Sequence, residues 1–236
     1  MKSAKRTLLA SAICLLAIAG LALPGAASPA GQIVVRGADT GSTLELSVEG
    51  GRLLVEGHLA PGHQDGCRVT RTRMEALCRL TDASSVEVRM GDSADLVRVL
   101  DGLPLPLTAY LGGGSDKLIG DGERDTCYPG GSMRNRCVLE GGDDICITGN
   151  LNSDCVGGPG DDYCAHGSGS DGCWGGPGDD VCVMKGGQDG CHGDGGNDRL
   201  YGGGNPDQLY GGPGRDFCDG GPGRGKSHEC EAGPRH

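Results

Sequence analysis

The residues best equipped for chemistry in this 236-residue chain are its aspartates, and they keep a spacing. Asp116, Asp125, Asp144, Asp162, Asp171, Asp180, Asp189, Asp198, Asp207 and Asp216 each stand two residues before a position held by Cys or Leu. From Cys137 that second set runs through Cys146, Cys155, Cys164, Cys173, Cys182 and Cys191 at intervals of nine, then through Leu200, Leu209 and Cys218. Backwards it reaches Cys127, with one extra residue, and Leu118. Asn135 and Ser153 take the acid's place in two blocks. Carboxylates recurring in this way are hard oxygen donors suited to a hard cation. Neighbouring acids such as Asp143-Asp144 and Asp161-Asp162 resemble a hydrolase pair, but they recur with the block and belong to it.

The elements that position these donors are read from the rest of each block. Glycine-rich turns precede the acids, as in Gly157-Gly158-Pro159-Gly160-Asp161-Asp162-Tyr163-Cys164, and the runs Gly175 to Cys182 and Gly211 to Cys218 have the same form. Glycine permits positive-φ turns and close backbone approach, which leaves carbonyl oxygens available as ligands. The metal-site glycines on this reading are Gly157, Gly160, Gly175, Gly178, Gly211 and Gly214. The three residues after each acid form a short strand whose middle side chain points inward, by two-residue alternation.

These blocks resemble the hemolysin-type (RTX) calcium-binding nonapeptide G-G-x-G-x-D-x-U-x, in which U is a large apolar residue. The resemblance implies an all-β fold, a parallel β-roll with two nonapeptides per turn and several calcium ions between the turns. Residues 18 apart then stack. Asp144, Asp162, Asp180, Asp198 and Asp216 form one ladder, and Asp171, Asp189 and Asp207 belong to the other, where Asn135 and Ser153 predict weak or missing sites. Asp is also common in solvated turns, but a stacked row of carboxylates repels itself unless a cation intervenes.

Where RTX rolls usually carry Leu, Ile or Val inward, this chain carries cysteine at eight successive positions from 127 to 191. Stacked strands lie about 4.8 Å apart, within the Cα separations of about 4.4–6.8 Å that a disulfide accepts. Pairing neighbours within each column gives Cys127–Cys146, Cys164–Cys182, Cys137–Cys155 and Cys173–Cys191 as expected bridges. Cys67–Cys78 and Cys218–Cys230 complete the set. The roll is thus expected to be stapled by disulfides, which would stand in for a core poor in aromatics, with Phe 1 and Trp 1.

Lys2, Lys5 and Arg6, the apolar run Leu8 to Leu23 and the small residues Gly25 to Ala30 read as a secretory signal peptide over residues 1–30. Its apolar run is shorter than the roughly 20 residues needed to span a bilayer. Removing it takes the formal charge from −11 to −14 and discards Cys14, leaving an even number of cysteines for an oxidising compartment. The charge disfavours nucleic acid and favours cations.

Residues 31–110 read as a β-rich cap, residues 111–225 as the roll and residues 226–236 as a C-terminal cap or tail. Short strands are expected over Gln32 to Arg36, Thr43 to Val48, Arg52 to Glu56 and Ser85 to Met90, with Gly91 to Val97 a degenerate calcium turn. This section resembles the N-terminal part of small secreted actinobacterial proteins with calcium-binding repeats; a separate ligand-binding domain is the competing reading. Arg71 and Arg73 mark either an anion site or a solvated loop. His166 and His192 are placed in repeat turns with structural roles. Neither a His-Glu-x-x-His helix nor a Gly-x-Ser-x-Gly elbow occurs, so no enzyme is expected. The sequence points to a secreted calcium-binding protein with a structural or adhesive role at the cell surface. The alternatives are a calcium-dependent module for polysaccharide or protein and, third, a small secreted hydrolase.

Overall fold

The computed structural model describes residues 31–61, 67–70, 72, 74–100, 102–130, 134–223 and 225–231. Residues 1–30, where a signal peptide is expected, Arg71, Arg73 and the end of the tail lie outside the described residues. Short strands follow one another almost without helix, because a turn of glycines interrupts the chain after every few residues. The front of the chain supplies β1 (Gln32–Arg36), β2 (Thr43–Glu49), β3 (Arg52–Gly57), β4 (Cys67–Val69), β5 (Glu75–Arg79), β6 (Ser85–Arg89) and β7 (Leu96–Val99). The repeats supply β8 (Leu107–Tyr110), β9 (Lys117–Ile119), β10 (Asp125–Tyr128), β11 (Asn135–Val138), β12 (Ile145–Ile147), β13 (Ser153–Val156) and β14 (Tyr163–Ala165). They continue with β15 (Gly172–Pro177), β16 (Val181–Val183), β17 (Gly190–Gly195), β18 (Arg199–Tyr201), β19 (Gln208–Tyr210), β20 (Phe217–Asp219) and β21 (Lys226–His228).

Successive repeat strands alternate between two sheets. The first runs β1-β6-β8-β10-β12-β14-β16-β18-β20; the second runs β21-β19-β17-β15-β13-β11-β9-β7-β2-β3-β5-β4. All pairings in the repeats are parallel, with residues 18 apart in register over most of the stack, as for Cys146↔Cys164 and Cys155↔Cys173. This is a parallel β-solenoid, the fold that the resemblance implied. The front section joins it directly: β6 pairs with β8 and β7 with β9. Beyond β2 the second sheet turns antiparallel through β3, β5 and β4.

One inward apolar side chain per strand fills the space between the sheets from β9 to β20, and strands before it add a second, such as Leu46, Val86 and Leu107. In the first sheet Val35, Val88, Ala109, Cys127, Cys146, Cys164, Cys182 and Leu200 stack in register. Leu44, Val97, Leu118, Cys137, Cys155, Cys173, Cys191 and Leu209 do so in the second. All are buried. Outside, Trp174, His192, Tyr210 and His228 form a stacked ring ladder, with centroids 6.0, 4.7 and 4.9 Å apart. His192 therefore lies in a strand and not, as the spacing suggests, in a turn.

The disulfides differ from the in-column expectation. Cys67 joins Cys78 and Cys218 joins Cys230, but within the roll Cys127 joins Cys137, Cys146 joins Cys155 and Cys182 joins Cys191. Cys164 and Cys173 are thiols. The expected Cys127–Cys146, Cys164–Cys182, Cys137–Cys155 and Cys173–Cys191 bridges are thus corrected to bonds across the core. Stacked neighbours project side by side from one sheet, whereas residues on opposite sheets aim their Cβ atoms at one another. Their Cα atoms are 6.4, 6.5 and 6.7 Å apart, near the upper end of what a disulfide spans. Counting only same-sheet neighbours overlooked the partner across a core this thin.

Candidate metal site

The turns between the sheets form two rows, one leading into each sheet. In both rows the backbone stacks through hydrogen bonds, such as Gly160 N–H to Pro177 O at 2.9 Å and Gly178 N–H to Gly195 O at 2.7 Å. Stacking this tight needs glycine. At Gly178 φ is +150°, and a Cβ there would sit 1.9 Å from the carbonyl oxygen of Gly160.

The aspartates close each row from inside. In the first row the N–H of Asp125 donates to Oδ1 of Asp144, Asp144 to Asp162, Asp162 to Asp180, Asp180 to Asp198 and Asp198 to Asp216, at 2.7–2.9 Å. The second row repeats the pattern in two stretches. One runs from Ser42 through Asp95 and Asp116 to Asn135, the other from Ser153 through Asp171 and Asp189 to Asp207. Asp95 extends the ladder into the front section, in the turn that looked degenerate in the sequence. At Asn135 the amide nitrogen donates to Pro129 O at 3.2 Å, and Ser153 Oγ donates to Leu151 O at 3.1 Å. Those two rungs present no carboxylate.

Each acid spends one oxygen on the neighbouring turn. The other, Oδ2 of Asp95, Asp116, Asp144, Asp162, Asp171, Asp180, Asp189, Asp198, Asp207 and Asp216, is buried without a hydrogen-bond partner, as is Oδ1 of Asp125. Buried oxygens left unsatisfied are costly. Desolvation pushes the carboxyls of Asp116, Asp171, Asp198 and Asp207 up to about 6, those of Asp125, Asp162 and Asp180 to about 7, and that of Asp144 to about 9. Neighbouring acids add to this, as Asp162 and Asp125 do at Asp144. Files of buried anionic oxygens beside backbone carbonyls match the donor set of a hard divalent cation.

The spacing missed the role of the residue five places before each acid. A Cβ added at Gly157, Gly175 or Gly193 would meet Oδ2 of Asp162, Asp180 or Asp198 at 2.1, 2.2 and 2.1 Å. Gly211 and Gly202 stand in the same relation to Asp216 and Asp207, both at 2.6 Å, whereas the oxygen facing Gly120 is Oδ2 of Asp125, which accepts the N–H of Asp121. Glycine here is therefore a cradle for the unpaired oxygen. Elsewhere that place is filled by a buried side chain: Leu111 before Asp116, Leu139 before Asp144, His166 before Asp171 and Met184 before Asp189. His166 Nδ1 lies 3.0 Å from Thr148 Oγ1 and 3.9 Å from Asp171 Oδ1. Burial pushes its pKa down to about 4, so at neutral pH the ring is uncharged and makes no ion pair. Intact cradles run almost continuously along the first row, and the second keeps one such acid, Asp207.

The acids that precede Asp144, Asp162 and Asp180 behave differently. Asp143 Oδ1 accepts the N–H of Asp161, and Asp161 and Asp179 do the same for Asp179 and Asn197, all at the surface. The recurring acid pairs are thus one buried donor and one exposed turn cap.

A scan against protein-family models matches the RTX calcium-binding nonapeptide repeat, in four copies, over residues 108–131, 156–173 and 192–225. The chain belongs to the hemolysin-type RTX repeat proteins: it is a calcium-binding repeat protein. No curated protein and no solved structure matches it.

Proposed function

We propose that this is an exported protein whose roll is completed by several calcium ions and which serves, without catalysis, as a structural or adhesive element of the cell surface. The observation that carries the ion's role is the file of buried aspartate oxygens with no partner. Metal-free, they oppose ionisation; a divalent cation turns the same repulsion into attraction. Asp144, Asp162, Asp180, Asp198 and Asp216 would supply carboxylates in the first row, and Asp116, Asp125, Asp171, Asp189 and Asp207 are the remaining candidates. The carbonyls of Gly157, Gly160, Gly175, Gly178, Gly211 and Gly214 lie in the stacked turns beside them and are the backbone ligands proposed.

Export is supported by the basic and apolar order of residues 1–30 and by the bridged cysteines, since disulfides form and persist in an oxidising compartment. Extracellular calcium modules work at dissociation constants of about 0.1–1 mM. The front section would cap the first turn, since β3, β5 and β4 continue the second sheet past it as antiparallel strands. Calcium titration calorimetry with circular dichroism tests the reading. Several equivalents should bind with a gain of ordered β-signal, and a chain indifferent to calcium in heat and shape would end it.

A further inference from the structure

The sulfur column has a gap in its own pattern. Cys127–Cys137, Cys146–Cys155 and Cys182–Cys191 each cross the core between consecutive strands of opposite sheets, at sequence separations of 10, 9 and 9. Between the second and third of these rungs stand Cys164 and Cys173, both thiols and both buried. They too lie on consecutive strands of opposite sheets, β14 and β15. In register, Cys164 sits between Cys146 and Cys182, and Cys173 sits between Cys155 and Cys191. Every neighbour above and below is thus one end of a cross-core bridge.

We propose that Cys164 and Cys173 are a redox modification site: a dithiol that closes into a fourth cross-core disulfide, between the turns that carry Asp162 and Asp171. The oxidant is an external disulfide. One cysteine sulfur attacks it, forming a mixed disulfide and releasing one external thiol. The second cysteine sulfur then attacks the bound sulfur, forming the Cys164–Cys173 bond and releasing the other external thiol. Each cysteine gives up its proton, and two electrons pass to the reagent, which leaves fully reduced. Both sulfurs lie beneath the sheets, so the reagent reaches them only when the roll opens. Calcium, by holding the roll shut, therefore slows the closure. A competing route exists, because the sulfurs of Cys173, Cys182 and Cys191 lie within 4.8 Å of one another and a bridge can migrate among them. The register favours the straight rung, which leaves Cys182–Cys191 in place.

The test incubates the full chain with oxidised glutathione, in chelator and in calcium, then alkylates remaining thiols in denaturant and maps the peptides. Alkylation at Cys164 and Cys173 should disappear, a peptide joining the two should appear, and calcium should slow both changes. Protein that carries this bridge before treatment holds a fixed staple and no dithiol, and that too overturns the assignment. Thiols that survive prolonged oxidation in chelator overturn it, and so does a bridge from Cys173 to Cys182 or Cys191. A variant carrying both Cys164→Ser and Cys173→Ser provides a second readout. Oxidant should raise the melting midpoint of the parent by several degrees and leave that of the variant unmoved; equal response in both overturns the assignment.

Discussion

Replacing Asp180 by Asn should move stability in opposite directions with and without calcium. The side chain is 2% exposed. Its Oδ1 accepts the N–H of Asp162 at 2.8 Å, a bond that Asn keeps, and its Oδ2 has no partner. Burial raises the carboxyl from 3.8 to about 7, so at pH 8 it is ionised in both the folded and unfolded chain. Holding that charge in the metal-free fold then costs up to about 4 kcal/mol, at about 1.4 kcal/mol for each pH unit. Water reaching the turn screens part of this, and about 2 kcal/mol is the working figure. Asn removes the charge but leaves a buried amide donor unpaired, at about 1 kcal/mol. The net gain in chelator is about 1 kcal/mol, or roughly 2–4 °C in a chain of this size. With calcium a hundredfold above its dissociation constant, losing one site removes about 2.7 kcal/mol, which against that gain leaves a net loss of about 1.7 kcal/mol, or roughly 3–7 °C. Scanning calorimetry of the disulfide-intact protein at pH 8 reads both arms. Destabilisation of similar size in both would refute the claim that this carboxylate is a repulsive charge waiting for a cation.

Three further outcomes follow from the same geometry. Gly178→Ala places a Cβ 1.9 Å from the Gly160 carbonyl at φ +150°, and should cost at least about 2 kcal/mol; a melting midpoint within a degree of the parent's would contradict the tight stacking. The carboxyls of Asp116, Asp125, Asp144, Asp162, Asp171, Asp180, Asp198 and Asp207 are raised in the fold to between about 6 and about 9, so their contribution is fully present below pH 3.8 and lost as pH rises through those values. Metal-free protein should therefore melt lower at pH 8 than at pH 5, and calcium should reverse the order; a metal-free midpoint that climbs with pH is the contrary result. His166→Gly opens the cradle beside Asp171 and should raise the number of calcium ions counted by calorimetry, whereas an unchanged count would mean that the fifth residue before the acid does not gate the site.

Much of this was legible because the block length is fixed. A nine-residue ruler placed the inward side chains and the ladder acids, the family resemblance supplied the stacking of residues 18 apart, and alternation found β1, β2, β3 and β6 of the front section but not β4, β5 or β7. What escaped it was distance across the thickness of the roll. Cys127 and Cys137 belong to different columns on paper but face each other in space, and one-dimensional periodicity carries no measure of that gap. The cradle escaped for another reason. Leu139, His166 and Met184 break a consensus glycine, and only the position of the neighbouring carboxylate reveals what a side chain there displaces. His192 was misplaced because a strand extended by glycines, Gly190–Gly195, looks like a turn in composition.

The rungs at Asn135 and Ser153 have a consequence for how the stack orders. In a solenoid each turn meets only its neighbours, so folding spreads from rung to rung like a zipper. Along the first row the links run unbroken from Asp125 to Asp216. The other row is cut between Asn135 and Ser153, where the link is a backbone contact of 3.4 Å from Asn135 N–H to Asn152 O. That cut is a firebreak. Fraying that starts at either end can travel along one edge of the molecule only as far as this point, while the opposite edge stays fastened.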